Sequence, residues 1–556
     1  MSLLKKTGFL WNTIFAFTLL VYAVGLFVTI MEPDAAVYAL TSMEMHQSAN
    51  YLEIFLKGQD WLDKPHFQFW ATALSYAVFG VNMIAYKLPA VLFSLIAILY
   101  TYLFGCRFYS RRHGFLAALI LMTAQHIITS NKDVRAEPYM TGLTIMALFH
   151  FAVYLDNKKI HHFIIGCVSL GCLIMTKGLF TIIPVVAAVG GALLYKLRWK
   201  EIFHWQWLAA IMLIVVFISP ALYGYYIQFD LHPEKEFFGR HGVSGVEFFL
   251  WSSQWGRFMN TGPIKGAGDP FYFIHTLIWA FAPWAFLAFF SLFQKSRQLI
   301  QKVNTGEHYT YFGFVVMFLL FSASRFQLAH YLNAVFPLLA IITAASLLSF
   351  LRNKKLLRIF SGIQLLQCVL FLGIIFLLQY FFSGTWPHVD TIIIISSAVI
   401  WAGYLFFQKG NWAKKIIFGS ALMILSVNYF LNREFYPKLL TYQSESEMGF
   451  YYKKQQLPPG QLISLDGRLL ITDVIIGKVT PFYRTEDVRP DLFSGKYVFT
   501  TKKGLYVLDS LGLKVQLLRS FDDYPITTLD LKFVNRNTRE KELEKRFLVK
   551  VSGKED

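Results

Sequence analysis

Apolar segments recur along the chain at about residues 9–31, 84–105, 115–131, 138–155, 161–176, 178–195, 205–229, 273–293, 309–324, 328–348, 357–382, 388–407 and 412–430. Most are long enough to cross a hydrocarbon layer about 30 Å thick. Lipid offers no partner to a free peptide group, so each such segment must close its hydrogen bonds internally as a helix. The expectation is a polytopic α-helical membrane protein with about 13 transmembrane helices. Composition agrees: mean hydropathy is +0.46, with 55% hydrophobic and 15% charged residues, too apolar for a soluble domain. Lys5 and Lys6 precede the first segment as in a signal peptide. The apolar run nevertheless continues to Met31 without a convincing cleavage site, so it reads as a retained first helix.

The formal net charge of +18 would raise the question of nucleic acid in a soluble chain. Here the basic residues sit in short loops. Arg107, Arg111 and Arg112 follow the second segment, Lys158 and Lys159 the fourth, and Lys196, Arg198 and Lys200 the sixth. Lys295, Arg297 and Lys302 follow the eighth, Arg352, Lys354, Lys355 and Arg358 the tenth, and Lys409, Lys414 and Lys415 the twelfth. Every even-numbered exit is basic, which orients these loops and the N-terminus to the cytoplasm. Loops 32–83 and 230–272 and everything after about Leu431 then face outward. The division expected is a transmembrane part, residues 1–431, and an extracytoplasmic α/β domain, residues 432–556. In that domain Gln461–Leu465, Lys478–Phe482, Lys496–Thr500 and Thr528–Val534 read as strands, and Thr501–Leu511 as a helix. Cys106, Cys167, Cys172 and Cys368 form no CxxC pair, so neither a zinc site nor a disulfide framework is indicated. The chain has no Walker A loop, no GxGxxG opening a soluble βαβ unit and no HExxH, which argues against ATP-driven transport and nucleotide-cofactor chemistry.

The stretch Pro33–Trp70 is too polar to span a bilayer and too aromatic and charged for an idle linker. Tyr38, Met43, Met45, Tyr51, Ile54 and Phe55 have nearly helical spacing, as in a helix lying on a membrane surface. Asp34, at the outer end of a membrane helix, is a candidate general base; the structural alternative is a solvated helix end. Asp133 and Glu137 lie four apart and share a face if their turn is helical. They are candidates to position an acceptor, tune Asp34 or hold a divalent cation, or else to pair internally with Arg135 or Lys132. Lys64, Arg325 and Lys177 are outward cations suited to a lipid phosphate; anchoring to anionic headgroups is the alternative. His330 and Tyr331 are candidates to hydrogen-bond a substrate. Gly262-Pro263, Gly266, Gly268 and Asp269-Pro270 mark tight turns in the second outer loop, a candidate lid.

These residues resemble the membrane glycosyltransferases of the protein O-mannosyltransferase and aminoarabinose-transferase type. The family's Pro-Asp-Glu opening stands here as Pro33-Asp34-Ala35, followed by Tyr38-Ala39. Its Glu-Lys-Pro-Pro-Leu-x-Tyr-Trp stands as Asp63-Lys64-Pro65-His66-Phe67-Gln68-Phe69-Trp70. Its second acidic site matches Glu137, with Asp133 nearby. Its Lys-Leu-Pro-x-Tyr stands as Gln327-Leu328-Ala329-His330-Tyr331. The departures are Ala35, Gln327 and Ala329, with Arg325 two residues before the missing lysine. The resemblance implies a GT-C fold and an inverting transfer of sugar from undecaprenyl phosphate to lipid A, another glycan or lipid, or a protein hydroxyl, at the outer face of a bacterial inner membrane. In that reading Asp34, Glu137 and Asp133 serve catalysis, Lys64, Arg325 and Lys177 bind the donor phosphate, and Tyr38, His330 and Tyr331 position substrate. The partners are the lipid-linked donor, the acceptor and membrane lipids, without nucleic acid; the acidic pair positions the acceptor or, as the alternative, holds a divalent cation, and no other cofactor is implied. The rival readings are a flippase for a lipid-linked sugar, which calls for internal repeats and mid-membrane polar breaks, and a non-catalytic envelope-assembly protein.

Overall fold

The structure, a computed structural model, describes residues 8–253, 256, 259, 266–303, 306–351, 353–410 and 412–552. Lys5, Lys6, Gly262, Pro263 and Arg352 lie outside these residues. In chain order the helices that frame the site are α1 (Gly8–Leu26), α2 (Pro33–Ser48), α3 (Phe67–Phe79), α4 (Met83–Phe108), α5 (Arg111–Met122), α6 (Gln125–Lys132), α7 (Glu137–Asn157), α8 (Ile160–Lys177), α9 (Ile183–Tyr195) and α10 (Gln206–Tyr225). They continue as α11 (Tyr272–Ala280), α12 (Ala285–Ile300), α13 (Tyr309–Ala323), α14 (Phe336–Ser349), α15 (Lys354–Leu377), α16 (Val389–Phe407) and α17 (Ser420–Phe430).

Each of the thirteen apolar segments lies on helix, but they are not equally long. Among the described residues nine helices have the length and hydropathy of a crossing, or ten if α5 and α6, bent by 55°, count as one span. The stretches Leu179–Tyr195 and Tyr309–Ala323 are shorter; at 1.5 Å per residue, 17 residues reach only about 25 Å. The 273–293 segment is split between α11 and α12 around Pro283, which has no backbone N–H and pushes the residue before it out of helical conformation. Helix length therefore supports nine or ten crossings, fewer than the thirteen expected, in a polytopic α-helical membrane protein.

Burial sorts the bundle. The hydropathy windows of Glu137–Asn157, Ala329–Ser349 and Trp412–Tyr442 are 83%, 83% and 94% buried and form the centre. Trp199–Asp230 and Lys354–Ser383 are only 22% and 17% buried, and expose Leu208, Ile211, Val216, Leu366 and Leu370 as a lipid-facing belt. α4 and α5 meet at glycines: a Cβ on Gly105 would stand 2.6 Å from the Cα of Gly114, so only two glycines permit this crossing.

The helix expected in the first loop is present as α2, with its apolar side chains covered by protein. Ala35, Ala36, Tyr38, Ala39, Leu40, Met43 and Met45 are all buried, because α2 packs between α3 and a short helix of the C-terminal part, Leu470–Ile476. Tyr51–Phe55 is not helical; it leads into a tight antiparallel hairpin, β1 (Phe55–Leu56) and β2 (Gln59–Asp60). A second small hairpin, β3 (Glu236–Phe237) and β4 (Arg240–His241), lies in the second outer loop.

The C-terminal part is a small domain on one mixed sheet. Its strands are β5 (Leu462–Leu465), β6 (Phe482–Tyr483), β7 (Tyr497–Thr501), β8 (Lys514–Asp523) and β9 (Glu544–Ser552), in the order β6-β5-β7-β9-β8. β5 runs parallel to β6 and β7, while β9 is antiparallel to both of its neighbours. Alternation divides the strands between two small cores: Ile463, Leu465, Val498 and Val549 face one way, Leu462, Phe499 and Leu548 the other. The expected helix after β7 is Lys502–Ser510. The stretch Thr528–Val534, expected as a strand, is instead turn and helix. Asp530 caps Leu531–Val534 by accepting from the Lys532 N–H at 2.8 Å, which starts a helix rather than a ladder. β8 and β9 escaped the sequence reading: β8 is a largely exposed edge strand with a register shift between Leu517 and Arg519, so its side chains show no clean alternation.

Candidate active site

One rim of the bundle gathers the acids singled out in the sequence, and α4 sets their spacing. Tyr86, fully buried, donates its hydroxyl to the Val134 carbonyl at 2.7 Å and so fixes the turn between α6 and α7. The next residue, Lys87, also fully buried, donates its ammonium to the carbonyls of Gly25 and Val28 at the end of α1. A cation on unpaired C-terminal carbonyls of a helix both satisfies them and complements the helix dipole. Neither residue was a sequence candidate. The only sign of Lys87 is a lysine inside an apolar run, a placement seldom found without a buried partner.

Asp133 closes the same segment from the other side. Its Oδ1 accepts the backbone N–H groups of Met31 and Glu32 at 3.4 and 3.3 Å. Arg135 approaches Asp133 at 3.5 Å and Glu32 at 3.8 Å. Burial raises the Glu32 carboxyl above its usual range, opposed by Arg135 and reinforced by Asp133 and Asp34. Asp133 and Glu137 do not share a helical face, because Asp133 ends α6 and Glu137 begins α7. They point to different partners.

Two residues beyond this clamp, Pro33 and Asp34 open α2. Proline suits a first helical position, and an acid in the first turn complements the dipole. Asp34 is exposed and takes part in no hydrogen bond or ion pair among the described residues. Tyr38, one turn later, is buried with its ring edge-on to Trp61 and Phe69, centroids 6.4 and 5.8 Å away.

Glu137 is the centre of a second cluster. It is 3% exposed and its Oε1 lies 2.5 Å from Lys177 Nζ and 3.6 Å from His330 Nε2. Arg135 donates to His330 Nδ1 at 3.3 Å. The Lys177 ammonium also stands over the Tyr331 ring, 4.4 Å from its centroid. Behind it His126 Nδ1 and Asn333 Oδ1 are 2.8 Å apart. Lys177, expected to bind phosphate, is thus paired with Glu137 in this structure.

Lys64 is nearly buried and paired with its neighbour Asp63 just ahead of α3. The turn is held by His66, whose Nε2 is 2.8 Å from the Leu52 carbonyl, and by Trp70, which donates to the Tyr51 carbonyl at 2.7 Å. Burial lowers the His66 imidazole to about 4, which keeps it neutral. Arg325 is exposed between α13 and the turn Ala329–Val335. The loop that precedes α11 lies against it: a Cβ on Gly266 would fall 2.4 Å from the Arg325 carbonyl oxygen. Gln327 accepts from the Asp269 N–H at 2.8 Å and donates to its carbonyl at 3.0 Å. Among the described residues no group of three or more His, Cys, Asp or Glu side chains is arranged to hold a metal ion.

Residues 63–223 match the family described as dolichyl-phosphate-mannose-protein mannosyltransferase. The undecaprenyl phosphate-alpha-4-amino-4-deoxy-L-arabinose arabinosyl transferase 2 of Pseudomonas fluorescens (strain Pf0-1) is 25% identical over 58% of this chain and 56% of its own length. The transferase of that activity from Edwardsiella ictaluri (strain 93-146) is 26% identical over 64% of this chain and 63% of its own. These two matches thus span between a half and two thirds of those relatives' own lengths. The crystal structure of ArnT from Cupriavidus metallidurans bound to undecaprenyl phosphate superposes with a TM-score of 0.73 at 17% identity, covering 99% of this chain and 100% of that one. The chain is related to the GT-C-type polyprenyl-phosphate-dependent glycosyltransferases, and its fold is that of ArnT.

Proposed function

We propose that this protein transfers a sugar from undecaprenyl phosphate to an acceptor of the bacterial envelope, at the outer face of the inner membrane. The reading places thirteen passages through the bundle, the N-terminus in the cytoplasm, residues 1–431 as the transferase part and 432–556 as an extracytoplasmic domain. The observation that carries it is a contrast among four rim acids. Asp133 and Glu137 are occupied by backbone amides and by Lys177, and Glu32 faces Arg135. Asp34 alone of the four is exposed, with its carboxylate in no hydrogen bond or ion pair among the described residues.

In the proposed single displacement, an acceptor hydroxyl or amine attacks the anomeric carbon from the face opposite the phosphate. Its proton passes to Asp34. The bond between the anomeric carbon and the phosphate oxygen breaks, its electron pair leaves on the phosphate, and the configuration inverts. Lys64 and Arg325 meet the charge that develops on the leaving phosphate; Lys177 joins them by sharing its ammonium between Glu137 and the phosphate. Glu137, His330 and Arg135 hold Lys177 and serve the acceptor, Tyr331 lies under the Lys177 ammonium, Tyr38 positions substrate one turn after Asp34, and Asp133 holds the backbone that carries Asp34. The acceptor is lipid A, another envelope glycan or lipid, or a protein hydroxyl, which places the enzyme in lipopolysaccharide modification or protein glycosylation. Purified protein given undecaprenyl phosphate carrying a radiolabelled sugar, with lipid and peptide acceptors, tests the reading. Transfer that disappears in Asp34→Asn supports it. Movement of the labelled lipid across the bilayer without transfer, or transfer unchanged in a folded Asp34→Asn protein, overturns it.

A further inference from the structure

The C-terminal domain touches the first outer loop at one charged point. Lys57 sits at the tip of the β1–β2 hairpin with φ +57°, followed by Gly58 at +70°. Its ammonium reaches into the domain, 2.9 Å from Asp473 Oδ2, and donates to the Thr480 carbonyl at 3.1 Å. Asp473 is fully buried, and its Oδ1 accepts the Thr480 N–H at 3.0 Å. The hairpin tip is held from below by α2: the carboxylate of Glu44 accepts the N–H groups of Lys57 and Gly58 at 2.6 and 2.8 Å. Three residues on, Gln47 donates to the Gly477 carbonyl at 2.9 Å. The domain therefore grips both α2, which begins with Asp34, and the hairpin, which ends four residues before Lys64.

The stem of the hairpin is held independently. Gln228 exchanges hydrogen bonds with the backbone of Ile54 at 2.9 and 2.8 Å and donates to Asp60 at 2.9 Å, and Lys235 pairs with Asp60 at 2.9 Å. Tip and stem fixed to different parts leave the segment from Phe55 to Lys64 little freedom to shift. A buried acid with a single cation partner is costly to orphan, so the tip contact is strongly specified.

Resting on the function proposed above, we propose that the C-terminal domain serves the reaction as a clamp, with Lys57 and Asp473 as positioning residues that hold the first-loop hairpin so that Lys64 meets the donor phosphate. Neither residue touches substrate. They act through the six residues that link Lys57 to Lys64.

The test uses the full-length protein in nanodiscs, with undecaprenyl phosphate binding and amide hydrogen exchange as readouts, in Lys57→Met, Asp473→Asn and Lys57→Arg proteins. Asp473→Asn keeps an acceptor for the Thr480 N–H while removing the charge. The expected result is faster exchange across residues 54–64 and binding weakened about tenfold in Lys57→Met and Asp473→Asn, with recovery in Lys57→Arg. Unchanged binding in both variants overturns the proposal, as does weakened binding without faster exchange of the hairpin. A wild-type protein that binds undecaprenyl phosphate but transfers no sugar removes the proposed function, while the variants' effect on binding still decides the clamp. A wild-type protein that binds none overturns both.

Discussion

The ammonium of Lys177 lies 2.5 Å from the carboxylate of Glu137, and both side chains are buried, at 6% and 3% exposure. Two residues forty positions apart, one starting α7 and one ending α8, thereby neutralise each other at the rim. Desolvation makes such a pair weak evidence of stability, but removing one member leaves the other charged and unpaired.

Glu137→Gln and Lys177→Met should each destabilise the protein by about 3–5 kcal/mol, the usual cost of stranding a buried charge. The double variant should recover part of that loss, because it strands neither. Thermal unfolding in detergent, read as a double-mutant cycle, checks this.

Asp34→Asn should leave folding and undecaprenyl phosphate binding nearly unchanged, since the carboxylate is exposed and makes no hydrogen bond among the described residues. It should reduce sugar transfer by at least about a hundredfold, within the range of a lost general base. Single-turnover transfer beside a binding measurement separates the two effects.

Lys64→Met and Arg325→Ala should weaken donor binding. The effect of Lys64→Met should be the larger, because Lys64 is nearly buried and Arg325 is exposed. Titration with undecaprenyl phosphate at low and high salt checks the ranking; the Arg325 contribution should shrink more with salt.

Gln327→Ala removes four hydrogen-bonding partners of the second loop and the α13 end at once: the Asp269 N–H and the Asp269, Phe321 and Ser322 carbonyls. The loop beside Arg325 should then exchange its amides faster, while α13 and α14 do not change. Hydrogen exchange at residues 266–272 reads this directly.

The C-terminal domain should gain stability on mild acidification. Burial raises Asp473 to about 6 and Glu445 to about 7. Both values exceed those of the unfolded chain, so the folded form holds more protons between about pH 4 and pH 7. The stabilisation is present below that window and is lost as the pH rises through the folded values. Each group should contribute roughly 1–3 kcal/mol across it. Unfolding midpoints at pH 5 and pH 8 should differ in the wild type, and the difference should shrink in a protein carrying both Asp473→Asn and Glu445→Gln.

Much of this was legible in the residues. The apolar runs are long and regular, and lipid allows them only one backbone conformation. Asp34 and Lys64 stand out because charge is rare beside such runs. The strands β5 and β7 could be read because both of their faces are buried, whereas β8, exposed and shifted in register, could not. Apolarity marks a segment without stating whether its helix continues unbroken, so among the described residues fewer helices have the length of a crossing than there are apolar segments.

Which charges meet was not in the sequence. Its spacing put Asp133 and Glu137 on one face only if the turn between them was helical, and the chain breaks there instead. Glu32, Tyr86 and Lys87 became visible only once the end of α1, the turn after α6 and the start of α4 were brought together. Local sequence determines conformation through periodicity and backbone hydrogen bonding. Ion pairs such as Glu137 with Lys177, or Lys57 with Asp473 more than 400 residues away, depend on how helices and domain pack, and that is a property of the whole chain.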